Sequence, residues 1–187
     1  MPDETPKTAP AAAPKAAPGM ASVAWDGEVP RLLRQAFSDA IEECATYRGQ
    51  DFVRVSSSRV LEILEFLKLE GDYDFLVDVT AVHYPKREPA FDLFHLVYSF
   101  SRNHRLRIVS RIADGATPPS ASAVYPAANW LEREVFDMFG IRFDGHPGLK
   151  RILLPDEWTG HPLRKDYGIL DMDNNWVQKN LGIESGQ

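Results

Sequence analysis

Apolar residues recur at helical spacing in three stretches of the chain. The stretches cover residues 30–48, 58–70 and 127–139, and a glycine follows each of them. In the first, the apolar positions lie three or four residues apart; they are Leu33, Phe37, Ala40, Ile41 and Cys44. Because residues at this spacing share one face of a helix, and glycine often follows a helix end, the pattern predicts three amphipathic helices.

Four other stretches are apolar throughout or alternate between apolar and polar positions. They cover residues 51–56, 75–82, 91–100 and 106–112. Alternation at period two is typical of strands that have one buried face. The last two strands are separated by so few residues that an antiparallel hairpin is expected. The predicted fold is therefore α+β, with helices packed on one face of a small mixed or antiparallel sheet.

Two segments do not follow either period. Residues 1–24 carry a proline at every fourth position from Pro2 to Pro18, with alanine predominating between them, and we expect a disordered tail without a targeting signal. Prolines and glycines interrupt the stretch from residue 141 onward. The predicted organisation is a tail at 1–24, an α+β core domain at 25–140, and an extended C-terminal arm at 141–187.

The arm is rich in apolar residues although it lacks a periodic pattern. These residues are Phe143, Leu149, Ile152, Leu153, Leu154, Trp158, Leu163 and Tyr167. Such residues are unfavourable in a solvated linker, so the arm is expected to cover a protein surface. That surface belongs either to its own domain or to a partner. The small domain has little free face to offer, which favours a partner.

A short pattern occurs twice in the arm. Residues 145–147 and 160–162 both read Gly-His-Pro, and the basic dipeptides 150–151 and 164–165 follow them. Glycine permits a bend and proline fixes the chain direction, and an arginine can donate two hydrogen bonds to a carboxylate or to backbone carbonyls. The repeated units are typical of anchors on an acidic or carbonyl-rich neighbour.

The third predicted helix carries Glu132, Glu134 and Asp137 beside Arg133. Asp137 falls in the last turn, where the helix dipole disfavours an anion by about 0.3–1 kcal/mol. The acidic face is either solvated or paired with cations of the arm or of a partner. A catalytic carboxylate pair is conceivable, but no nucleophile or base motif accompanies it.

The two arm histidines, His146 and His161, also raise the possibility of a metal site. Together with Glu134 they are the residues that a small metal-dependent enzyme would use. Their spacing matches no recognised metal motif, and a histidine before proline is also typical of a turn in which the ring donates to a carbonyl. The metal-dependent enzyme remains a third hypothesis beside the two given below.

Composition narrows the possible functions. The net charge is −6, which argues against a nucleic-acid partner, and no apolar run approaches the roughly 20 residues of a membrane span. The lone Cys44, expected to be buried on the first helix, cannot supply the about four ligands that an iron–sulfur cluster needs. Glycine-rich nucleotide-binding motifs do not occur. We therefore expect a soluble protein of a reducing compartment that binds no cofactor of its own.

Three segments together resemble a known family. Residues 128–140 contain E-R-E-x-x-D, residues 145–153 contain H-P and a basic pair, and residues 160–167 contain H-P-x-R-K-D. This combination is similar to the 30 kDa (C) subunit of proton-pumping NADH:quinone oxidoreductase, respiratory complex I. The resemblance covers about residues 51–168.

The resemblance implies a non-catalytic structural subunit of the peripheral arm, on the cytoplasmic face of the bacterial inner membrane. Such a subunit packs against the 49 kDa (D) subunit near the quinone site, beside iron–sulfur subunits. It binds no cofactor, while FMN, Fe–S clusters and quinone belong to the assembly, which couples electron transfer from NADH to proton translocation. An alternative is the homologous subunit of a membrane-bound hydrogenase or a ferredoxin-linked quinone reductase.

The matched motifs also imply which residues contact partners. They are Glu132, Arg133, Glu134, Asp137, His146, Pro147, Lys150, Arg151, His161, Pro162, Arg164, Lys165 and Asp166. The chain departs from the family pattern at His83, where an acidic residue is usual. Residues 168–187 do not follow the longer C-terminal extension of some members.

Overall fold

A computed structural model of the chain describes residues 22–168, 171 and 174–182. Within them, six strands form one sheet: β1 (Val23–Ala24), β2 (Ile41–Tyr47), β3 (Gln50–Val55), β4 (Phe75–His83), β5 (Phe91–Ser99) and β6 (His104–Ile112). The α-helices are α1 (Glu28–Ala36), α2 (Val60–Leu69), α3 (Ala128–Phe139) and α4 (Asn174–Leu181). No helix in this part of the chain is long and apolar enough to cross a bilayer.

The strands lie in the order β1-β2-β3-β6-β5-β4. The β3–β6 pair is parallel and the remaining pairs are antiparallel, so the sheet is mixed. The predicted hairpin is confirmed, because β5 and β6 pair continuously from Phe91–Ile112 to Ser99–His104. The α+β class is also confirmed.

One face of the sheet is buried beneath the helices. Along β5, Leu93, His95 and Val97 are buried while the residues between them are partly exposed, as period-two alternation predicts. Leu33 of α1 and Leu64 of α2 are fully buried in the same core. Burying a side chain of this size stabilises the fold by about 1.5–3 kcal/mol.

The first predicted helix is wrong beyond Ala36. Residues 41–47 form β2, which turns back through Arg48 (φ 50°) and Gly49 (φ 74°) into β3. Two consecutive residues with positive φ make the type of two-residue turn that matches strand twist. Cys44 is buried as expected, but it lies on a strand, opposite Val53.

The predicted domain boundaries also need correction. Residues 1–21 lie outside the described residues, yet Val23 and Ala24 pair with β2 and therefore belong to the domain. At the other end, Ile141 and Phe143 are buried in the main core, so the core domain continues past residue 140.

Candidate functional site

The arm lies across the C-terminal half of α3, and Asp137 is the centre of its attachment. One carboxylate oxygen accepts a hydrogen bond from Arg151 Nη1 at 2.6 Å. The other accepts from the backbone N–H groups of Ile152, Leu153 and Leu154 at 2.9, 2.7 and 2.9 Å. The Asp137 side chain is fully buried, so the arm encloses it completely.

This arrangement explains an anion in the last turn of a helix. Burial on its own raises the pKa of Asp137, but the N–H groups of residues 152–154 and the Arg151 guanidinium outweigh it, so the pKa lies below its usual value. These donors compensate the unfavourable helix dipole. Asp137 therefore pairs with a cation of the arm, one of the alternatives that the sequence leaves open.

Arg151 extends the attachment further along the arm. Its Nη2 atom donates to the carbonyl oxygens of Trp158 and Gly160 at 3.0 and 3.1 Å. One guanidinium thus joins α3 to a bend of the arm nine residues downstream. The fork geometry of arginine allows several fixed acceptors at once, which a lysine cannot reproduce.

The second Gly-His-Pro unit closes against the end of α3. His161 Nδ1 donates to the carbonyl oxygen of Asp137 at 2.9 Å, and the N–H of Leu163 donates to that of Met138 at 3.1 Å. Gly140 has a positive φ of 80°, and a Cβ atom there would lie 2.7 Å from the His161 ring. The arm thereby satisfies carbonyl groups that a helix end leaves without partners.

The first Gly-His-Pro unit is attached in the same way. His146 Nε2 donates to the carbonyl oxygen of Asn129 at 3.0 Å, while its Nδ1 accepts from Gly148 N–H at 3.0 Å. Both histidines therefore act as turn residues that donate to carbonyls. Among the described residues, no group of three or more His, Cys, Asp or Glu side chains is placed to hold a metal ion.

Arg133 fastens the arm between these two units. Its guanidinium donates to the carbonyl oxygens of Lys150 and Arg151, both at 3.1 Å, and lies 5.1 Å from the centroid of the Trp130 ring. A cation over an indole ring is favourable by about 0.5–1 kcal/mol at an exposed site. The carbonyl groups that Arg133 binds therefore belong to the arm of the same chain.

Glu132 has a structural role inside the domain. Its carboxylate oxygens accept from the Ala121 N–H and from Ser120 Oγ, each at 2.6 Å, and burial raises its pKa. Glu132 and Asp137 have no exposed surface. This corrects the prediction that these two side chains face a partner.

Arg164 connects the end of the arm to the sheet. It forms a two-pronged ion pair with Asp114, with distances of 2.6 and 3.1 Å, and a second pair with Asp166 at 3.2 Å. The hydrogen bond from Arg164 is the main cause of a lowered pKa at Asp114. The guanidinium also lies 5.2 Å from the Phe91 ring centroid.

His83, the position that departs from the family pattern, also holds the arm. Its ring is buried and stacks on Phe91 with centroids 4.6 Å apart. Its Nδ1 atom accepts the N–H of Lys165 at 2.9 Å and lies 3.6 Å from a carboxylate oxygen of Asp166. Only the departure from the family pattern distinguished this residue in the sequence.

The attached arm leaves a mixed apolar and cationic surface, which we call the arm surface. Its apolar members Trp130, Leu153 and Leu163 are 62%, 61% and 47% exposed. The Lys150 and Lys165 side chains form no ion pair with a carboxylate of the described residues. The expectation that the arm binds a partner instead of its own domain therefore needs correction, because the arm first covers α3 and exposes a new surface.

The geometry defines an α+β protein whose C-terminal arm is structured and hydrogen-bonded across a helix. The chain belongs to the family described as "Respiratory-chain NADH dehydrogenase, 30 Kd subunit", whose model matches residues 53–172. That range includes β4–β6, α3 and the arm up to residue 172.

Relatives from several bacteria support the assignment. The chain is 41% identical over 142 residues to the C subunit of NADH-quinone oxidoreductase from Citrifermentans bemidjiense, covering 75% of this chain and 88% of the relative. It is 48% identical over 141 residues to the C subunit from Trichlorobacter lovleyi, covering 73% and 86%. A combined C/D subunit from Bdellovibrio bacteriovorus is 41% identical over 119 residues, which are 64% of this chain and 21% of that protein.

A solved structure has the same fold. It comes from the membrane-bound sulfane sulfur reductase, an archaeal respiratory membrane complex, and superposes with a TM-score of 0.67 at 26% identity. The match covers 85% of this chain and 92% of that chain.

Proposed function

We propose that the chain is a non-catalytic structural subunit of a proton-translocating NADH:quinone oxidoreductase, located in its peripheral arm on the cytoplasmic face of the membrane. In this proposal the assembly passes electrons from NADH through FMN and Fe–S centres to quinone. The chain contributes no cofactor and no reacting group. It presents its arm surface to the D-type (49 kDa) subunit and positions that subunit beside its Fe–S neighbours.

The exposed apolar residues of the arm surface are the observation that carries the proposal. Leu153 and Leu163 lie on an arm whose backbone is fixed by Asp137 and Met138, so their exposure is not that of a loose loop. A rigid patch that combines aromatic, aliphatic and cationic groups is typical of protein interfaces, where preorganisation reduces the entropic cost of binding.

The D-type partner is supported by the relatives. In Bdellovibrio bacteriovorus the region similar to this chain belongs to a single polypeptide that is named as a combined C/D subunit. Fusion of two subunits is compatible only with neighbouring positions in one assembly. The Lys150 and Lys165 side chains, which form no ion pair among the described residues, favour an acidic area on that neighbour.

The archaeal structural neighbour favours a second candidate, in which the chain serves a different membrane-bound respiratory complex such as a hydrogenase or a ferredoxin-linked reductase. The identity of 26% with that neighbour is well below the 40–48% shared with the bacterial relatives. NADH-binding flavin subunits encoded beside this chain would support the first candidate, and a nickel-binding large subunit the second.

A paired substitution tests the docking. Leu153→Ser removes an exposed apolar side chain from the arm surface, and Leu69→Ser removes one that is 68% exposed on α2. If Leu153 is buried by a partner, its loss costs about 1.5–3 kcal/mol, or roughly a ten- to hundredfold weaker association. Co-purification of the D-type subunit with the tagged chain from native membranes measures this effect.

We expect Leu153→Ser to lower recovery of the D-type subunit and Leu69→Ser to leave it unchanged. Thermal melting of both purified variants should match the wild type, because neither side chain is buried in the chain. Equal recovery of the D-type subunit with both variants would contradict the proposal.

A further inference from the structure

The sheet face opposite the helices carries a second surface, which we call the outer face. It is built from the residues of β3, β5 and β6 that point away from the core. Phe52 of β3 and Leu96 of β5 are the register partners of Arg107 on either side, and all three are half-buried. Arg107 is therefore a cation in the middle of an apolar row.

Arg107 has no anionic partner within the described part of the chain. Two neighbouring arginines on the same face do have carboxylates nearby: Arg54 is bonded to Glu43, and Arg111 lies 3.7 Å from Asp92, which Arg87 also binds. This arrangement occurs in a chain whose net charge is −6, so carboxylates are not scarce. A half-buried guanidinium without an ion-pair partner is costly, because it loses part of its hydration.

A groove beside Arg107 provides space for a ligand group. Its volume is about 230 Å³, and its lining includes Phe52, Phe94, Arg54, Arg107 and Asp92, whose carboxylate is already bonded to Arg87. An arginine fork matches the two oxygens of a carboxylate, and apolar walls strengthen such a pair by excluding water. The flanking rings complement aliphatic or aromatic side chains.

We infer that the outer face is a second docking surface, which receives a segment of another subunit of the same assembly. The segment presents one carboxylate side chain to Arg107 and apolar side chains to Phe52, Phe94 and Leu96. This inference rests on the proposed function for the identity of the assembly. The surface is separate from the arm surface, so the chain would join two neighbours.

Charge distribution favours a protein over an anionic membrane as the occupant. Binding to a lipid surface usually involves clusters of several lysines and arginines. On the outer face the carboxylates of Glu43 and Asp92 already pair with arginines, and the central Arg107 lies between Phe52 and Leu96 in the sheet register. One buried carboxylate fits this pattern better than a layer of headgroups.

Site-specific photo-cross-linking tests the inference in the assembled complex. The full-length chain carries p-benzoylphenylalanine either at Phe94, on the outer face, or at Leu153, on the arm surface. After irradiation of native membranes, adducts are identified by mass spectrometry. We expect the Phe94 probe to join another polypeptide of the assembly, and Arg107→Glu to reduce the yield of that adduct at least fivefold.

Arg31→Glu is the matched control, because the Arg31 side chain is 74% exposed on α1 and its substitution reverses the same charge elsewhere. It should leave the Phe94 adduct unchanged. If Arg107→Glu lowers the melting temperature of the full chain, the uncharged Arg107→Gln replaces it in the comparison.

The inference is overturned if the Phe94 probe yields no adduct, only lipid adducts or only adducts within the chain. An inter-subunit adduct whose yield does not depend on Arg107 overturns it as well. The Leu153 probe separates this failure from that of the proposed function. A Leu153 adduct with the D-type subunit supports the proposed function whatever the Phe94 result, and its absence counts against it.

Discussion

At the scale of single residues, Asp137 determines whether the arm is held. Four donors from the arm converge on its two carboxylate oxygens. The carboxylate must be charged to accept all of them, and it is protected from water by the segment that it holds. Stability and arm position are therefore coupled through one side chain.

Asp137→Asn should release the arm. The amide offers one acceptor oxygen and places an NH₂ group against N–H donors, so we expect a loss of about 3 kcal/mol in the free energy of unfolding, typical of a buried ion pair that loses one partner. Hydrogen exchange of residues 141–168 should become faster by a larger factor than that of β5 and β6, whose amides follow only the global loss of stability. Glu134→Gln, an exposed position on the same helix, is the control and should leave exchange unaltered.

The same carboxylate predicts an acid-sensitive arm. Because the pKa of Asp137 is lowered by folding, its contribution to stability is complete above the unfolded value near 3.8 and is lost as the pH falls through the folded value. The stability difference between the wild type and Asp137→Asn should thus be constant near neutral pH and shrink below about pH 4. A difference that grows toward low pH in chemical denaturation would contradict this assignment.

At the scale of elements, the end of α3 and the arm form one structural unit. Gly140 allows the chain to leave the helix with a positive φ, and the His161 ring occupies the space that a side chain at this position would need. The close approach of ring and backbone depends on the absence of a Cβ atom.

Gly140→Ala should therefore destabilise the chain and loosen the second Gly-His-Pro unit. The backbone conformation alone costs a non-glycine residue about 1–2 kcal/mol, and the contact with His161 adds to it. Gly148→Ala is the matched control, because no atom lies within 4 Å of a Cβ atom there. Thermal or urea unfolding measures both variants, and equal melting temperatures would show that the helix end tolerates a side chain.

Elements with a clear period were predictable, and those defined by a turn were not. Helix α3 and the β5–β6 hairpin follow directly from spacing, since their buried faces repeat without interruption. Strand β2 was missed because Ile41 and Cys44 also fit a helical stripe, and Arg48-Gly49 is an unusual sequence for a two-residue hairpin turn.

The site was predictable in its residues but not in its contacts. The basic and Gly-His-Pro residues of the arm were identified from their repetition, and the structure attaches the side chains of Arg151, Arg164, His146 and His161 to carbonyls or carboxylates. Their acceptors lie in the same chain, as Asp137 does for Arg151. This could not be predicted, because sequence spacing does not specify which surface an extended segment covers. The partner contacts of the other predicted interface residues stay predictions.

At the scale of the whole molecule, the chain is a domain with a structured arm, which the proposed function makes its docking segment. The arm covers the end of α3, and Arg164 joins it to Asp114 near the sheet. Leu153 and Leu163 of the arm remain exposed. We expect such a subunit to affect the reaction of its assembly through the amount of complex that forms, because the proposed function gives it no reacting group. Substitutions that loosen the arm should therefore reduce assembly and leave the chemistry intact.

The most direct test is the quinone reductase turnover per intact complex in Arg133→Ala and Arg164→Ala. Each substitution removes charge-assisted hydrogen bonds worth about 1.5–3 kcal/mol each from the arm, so the amount of intact complex on native gels should fall severalfold. The turnover of the complex that does assemble should equal that of the wild type. Wild-type amounts of intact complex with a reduced turnover would contradict the account.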